Sequence, residues 1–162
     1  MNTGRSVPVP QSIAASLELL FGERIEHVRV VEYSLIARLH WRAIATTRRR
    51  CIYLRGSAAD FFENPWLMLH EYCHVLKQWE PRTLTTSRYV LECLRRGYQN
   101  NRFEVEAREF ADTNLHRLRA LLTSSRQAPS AEPASAEQRL AMIQTSGDEH
   151  QQRPEPERDG DR

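Results

Sequence analysis

The chain has 162 residues, 40 % of them hydrophobic, and a formal net charge of +2, enough to bury one core and hardly two, so a single domain is expected. No apolar run approaches a membrane span, Met1 to Gln11 lacks the apolar core of a secretory signal, and Cys51, Cys73 and Cys93 are odd in number without paired spacing. These features argue against a membrane protein and against a disulfide framework, and point to a soluble, cytoplasmic chain with reduced thiols; export by a dedicated route without a signal peptide would leave no such trace.

After Pro10, Ile13, Leu17, Leu20 and Phe21 recur at helical spacing, and Gly22 stands where a helix would end. The valine-rich run His27 to Tyr33 predicts a strand, and Ser34 to Trp41, with Leu35, Ile36 and Leu39 on one side, a short helix. Ala43 to Thr47 and Cys51 to Arg55 predict a hairpin turning at Arg48, Arg49 and Arg50, although no Asn-Gly or Asp-Gly marks the turn. These arginines with Arg55 have only Tyr53 between them, so a solvated turn is expected and no nucleic-acid partner.

Asn64 as N-cap and Pro65 at the first helical position open a helix through Trp79, which Pro81 closes. A further helix is expected over Ser87 to Arg96, ended by Gly97, and a last long one from about Asn101 to Leu122. From Thr123 onward there is no Phe, Trp, Tyr or Cys, and Pro, Ser, Ala, Gln, Glu and Arg dominate. Residues 1–122 carry 18 Lys or Arg against 13 Asp or Glu, hence +5, and the remaining −3 falls on 123–162. That segment reads as a disordered acidic tail, in which Ala136 to Thr145 is too short to hold a helix unaided.

Residues 70–74 spell His-Glu-Tyr-Cys-His, flanked by Leu67, Met68, Leu69, Val75 and Leu76. On a helix His70 and His74 stand one turn apart on one face, so both imidazoles can reach one metal ion. Glu71 lies about 100° round the helix, placed to contact a zinc-bound water without itself being a ligand. A catalytic zinc takes three protein ligands and keeps one position open, so a third ligand is required. Lys77 and Glu80 occupy the places where a Gly and a third His would follow the motif, which sends the search to another helix. On the last helix Phe103, Ala107, Phe110, Ala111, Leu115, Leu118 and Leu121 form an apolar arc containing Glu104, with Glu106 at its edge and Glu109 pointing away. A buried carboxylate needs a partner, and zinc would supply one, as would one of the arginines in a buried ion pair. Glu104 is the expected third ligand; Asp112 and His116 stand behind it, Asp112 also as a group that could orient a ligating histidine. Tyr72, Tyr98, Arg102 and His116 are unranked candidates for stabilising an oxyanion, Cys73 is expected in the core, and Trp66 and Trp79 flank the motif helix as core or groove-rim residues.

The motif with Glu104-x-x-Ala107 on a later helix resembles the gluzincin zinc metallopeptidases, whose third ligand is the first glutamate of Glu-x-x-Ala. More closely, Pro8 and Pro10, Phe21-Gly22, Val28-Arg29-Val30, Ala45-Thr46, Leu69-His70-Glu71 and His74-Val75 resemble the HExxH core domain of proteins associated with bacterial extracellular contractile injection systems, over about residues 7–112. Family members commonly continue the zinc helix with Gln-Gln, where this chain has Lys77-Gln78, and many gluzincins have Asp or Asn after the alanine, where it has Arg108. The resemblance implies an α+β, zincin-like domain over 1–122: an N-terminal helix, a short antiparallel sheet, the motif helix and a C-terminal ligand helix. It also implies a zinc metallopeptidase with a peptide or protein substrate and injection- or secretion-system components as partners. The alternative is a non-catalytic, zinc-stabilised scaffolding or binding module of such a system.

Overall fold

Arg5–Val7 form β1 just ahead of Pro8, and Pro10 precedes α1, Gln11–Phe21. The computed structural model describes residues 4–39 and 44–127. β2 spans Arg29–Glu32, α2 Leu35–Leu39, β3 Ala45–Arg48 and β4 Cys51–Leu54. The helices α3, Ala58–Phe62, and α4, Pro65–Cys73, follow. A π-helix over His74–Trp79 continues directly from α4, and α5, Thr86–Arg96, and α6, Arg102–Gln127, complete the chain of elements. Trp41, Ala43 and the segment 128–162, including the short helix expected in it, lie outside the described residues. Among the described residues no helix is long and apolar enough to cross a membrane.

The α+β class is as expected, but the sheet is mixed. Its four strands run in the order β1-β2-β4-β3, with β1–β2 and β3–β4 antiparallel and β2–β4 parallel. The hairpin formed as its sequence suggested, turning at Arg49 and Arg50, with Arg50 at φ 62°. It inserts its second strand beside β2, which leaves β3 at an edge.

Local chemistry sets the helix ends. Gly22 at φ 72° and Gly97 at φ 73° close α1 and α5 in the left-handed region that side chains disfavour. The side chains of Ser57 and Asn64 accept N–H bonds from Asp60 and Leu67 and so cap α3 and α4. Glu32 is buried, and its carboxylate accepts from Arg5 Nε at 2.8 Å and from the Ala58 N–H at 2.9 Å, which ties β1, β2 and the start of α3 together.

The core joins Leu17 and Phe21 of α1, Val30 of β2, Ile52 and Leu54 of β4 and Phe61 of α3. Met68, Leu69 and Tyr72 of α4 and Ala111 and Leu118 of α6 complete it, with α6 packed along both α4 and α1. Each large apolar side chain buried there contributes about 1.5–3 kcal/mol, so the pairing of α4 with α6 is strongly specified. Two elements depart from expectation in ways that matter for the site. The motif helix changes at His74 to the wider π winding, where the Glu80 N–H bonds to the Val75 carbonyl at 3.0 Å, and the last helix continues five residues beyond Leu122, to Gln127.

Candidate metal centre

α4 carries His70, and the first residue of the π-helix that continues it is His74; both meet Glu104 from the first turn of α6. All three side chains are buried. His70 Nε2 and His74 Nε2 are 3.2 Å apart, Glu104 Oε2 is 3.4 Å from His70 Nε2, and Glu104 Oε1 is 3.6 Å from His74 Nε2. With one ligand atom taken from each residue, the two imidazole nitrogens and a Glu104 oxygen lie within 4.8 Å of one another, close enough for one metal ion to draw them together. The Glu104 Oε2 atom, aimed at His70, is buried without a hydrogen bond among the described residues, a costly arrangement that a cation would relieve.

The tautomer of His74 follows from Gln78, a fully buried residue on the π-helix. Its amide Nε2 donates to the Phe103 carbonyl and to Glu106 Oε2, both at 3.0 Å, which turns its Oε1 toward His74 Nδ1 at 2.7 Å. Nδ1 therefore carries the proton, and the Nε2 lone pair faces His70 and Glu104. Gln78 thus orients one ligand while holding the segment of α6 that supplies another. The indole of Trp66 stacks on the His70 ring at 5.2 Å and 14°, and its N–H donates to Asp112 at 2.7 Å. Among the described residues Asp112 stands outside the cluster, and it reaches His70 through the Trp66 indole.

Glu104 is further held by the Tyr89 hydroxyl, which donates to Oε1 at 2.7 Å. Asn101 stations Tyr89 by donating from Nδ2 to its carbonyl at 3.3 Å. Burial would raise the Glu104 carboxyl, but the adjoining imidazoles of His70 and His74 and the Tyr89 hydroxyl outweigh it and hold the group well below the usual carboxylate range. Burial would lower His74, but the neighbouring carboxylates of Glu104 and Glu71 outweigh it and raise the group above its ordinary value. Glu71 is moved the other way from Glu104: burial, the largest influence, pushes it above its ordinary value against the charges of His74 and His70.

Glu71 is 5 % exposed and lines, with His70, His74, Glu104, Tyr89 and Trp79, a cleft of about 1100 Å³. One wall is the edge strand β3 and another the end of α5 with the turn after it. Of the groups considered for oxyanion stabilisation, Tyr98 lines this cleft. Tyr72 is instead fully buried against Phe21, Arg102 lies over the Phe103 ring, and exposed His116 sits three turns along α6 from Glu104. Glu106 serves Gln78, Glu109 is exposed, and Cys73 is a core thiol that burial pushes up to about 12. Gln78 and Tyr89 are the functional residues that sequence reasoning missed; the four-residue step from His74 to Gln78 carried a signal, whereas nothing local marks Tyr89.

An α+β domain in which a helix-borne His-Glu-x-x-His meets a glutamate from a second helix is a domain equipped with a three-residue cluster able to hold a metal ion. The family model of the eCIS core domain matches residues 8–82, which supports a relation to extracellular contractile injection system proteins. This segment contains His70, Glu71 and His74 and ends before Glu104. Nothing among the curated proteins or the solved structures matches the chain.

Proposed function

We propose that the chain is a zinc-dependent metallopeptidase in which His70, His74 and Glu104 hold the ion and Glu71 is the general base. The observation that carries this reading is the position of Glu71: it is buried close to His70, His74 and Glu104, lines the same cleft, and stands outside the cluster that could hold the ion. An ion that only stabilises a fold has no use for such an acid. Zinc, when bound, lowers the pKa of water toward neutrality and polarises a carbonyl. Glu71 takes the proton of the attacking water and delivers it to the departing amine. Tyr98, at the cleft wall, is the donor available to a developing oxyanion. A peptide or protein is the substrate, and components of an injection system are the partners.

A second reading has one observation in its favour. Gln78 fastens the site to the α4–α6 interface, so an ion there could serve a scaffolding module by locking two core helices. Zinc content by mass spectrometry, with hydrolysis of casein and a peptide library by wild type and Glu71→Gln, separates the two. The expected result is one equivalent of zinc in both proteins and hydrolysis by the wild type that falls about 10²–10⁴-fold in the variant. Equal zinc with no hydrolysis by either protein selects the scaffold.

A further inference from the structure

Away from the metal cluster and Glu71, the described residues lining the cleft carry two charges, both positive: Arg48 on the edge strand β3 and Arg96 at the end of α5. The other polar residues of the lining, such as Thr46, Thr47, Thr86, Gln99 and Asn100, are neutral. The two acids in the lining, Glu71 and Glu104, belong to the site itself, and a divalent cation would balance their charges. Arg96 makes an i,i+4 pair with Glu92, with its Nε 3.5 Å from the carboxylate, but its side chain is 62 % exposed, and exposed pairs of this kind are weak and readily exchanged. Arg48 is exposed and forms no salt bridge among the described residues.

Cations in the lining of a cleft raise the local concentration of anionic ligands and disfavour cationic ones. The outer edge of β3, which no described strand pairs, suits an extended polypeptide, which can add backbone hydrogen bonds to it, better than a nucleic acid, whose backbone cannot continue a sheet ladder. We propose, on the reading that this cleft receives a peptide, that it selects segments rich in Asp and Glu, with Arg48 and Arg96 as the residues that set the preference.

The test uses the full chain loaded with zinc and carrying Glu71→Gln, so that bound peptide is not consumed. Fluorescein-labelled decapeptides of acidic, neutral and basic composition are titrated by anisotropy at low and moderate salt. The acidic peptide is expected to bind about tenfold more tightly than the basic one, with the preference shrinking as salt rises. Arg48→Gln with Arg96→Gln, both exposed changes whose folding is checked by thermal melting, should abolish the preference. Single substitutions provide the same comparison if the double variant melts early. Equal affinity for acidic and basic peptides overturns the proposal, as does tighter binding of an oligonucleotide of equal charge. Wild-type cleavage without charge preference leaves the peptidase reading standing and removes this one. Charge-selective binding without cleavage by wild type keeps the selectivity and removes the peptidase.

Discussion

Gln78 shows how much of a metal site can depend on a residue that never touches the ion. Its amide fixes the His74 tautomer and grips the backbone of α6 at Phe103, one residue before Glu104. Replacing Gln78 with Leu, close in size but unable to orient the ring, should weaken zinc binding about 10–100-fold in a chelator competition, while Tyr89→Phe, which leaves Glu104 its histidine contacts, should lie at the low end of that range. The three residues of the cluster were legible in sequence for two reasons. The step from His70 to His74 is local, and Glu104 falls inside an apolar arc where a carboxylate needs an explanation. Tyr89 was illegible because its hydroxyl acts across a turn on a residue 15 positions later, a distance that no helical periodicity encodes. Asp112 was half legible: an acid near the site that acts on His70 only through an interposed indole.

Most elements could be read from their caps and periods, and those that could not share a cause. β1 has three residues and α3 five, too few to show a period, and the parallel pairing of β2 with β4 is a property of strand order rather than of either strand. The π winding at His74 follows from a carbonyl choosing a more distant partner, which side-chain pattern does not announce. Glu32 gives the sheet a testable pH signature. The Ala58 N–H, first, and Arg5 hold its carboxyl below the ordinary value, so the folded state prefers it ionised. That stabilisation is complete above the unfolded carboxylate pKa of about 4.3 and is lost as pH falls through the lowered folded value. Glu32→Gln should therefore lower the urea midpoint at pH 7, and the difference from wild type should narrow as the pH is taken toward 3.

For the molecule as a whole, the cluster and the core are coupled, because the motif helix and α6, which bring His70, His74 and Glu104 together, lie at the centre of the hydrophobic packing. A ligand that binds only the folded state at 100 times its dissociation constant adds about 2.7 kcal/mol, or roughly 10 °C in melting temperature for a domain of this size. Zinc-loaded protein should lose about that much on treatment with EDTA, followed by circular dichroism, and Glu104→Ala should melt at one temperature with or without chelator. A wild type indifferent to both would mean that the cluster holds no ion of consequence.

Glu104 follows His74 by 30 residues, and only the docking of α6 brings it back to the imidazoles. A stretched or half-assembled polypeptide has two of the three groups at most, and Glu71 then stands beside an incomplete centre. The cluster is therefore a late product of folding, complete when α6 closes on the motif helix and dissolved when that contact opens.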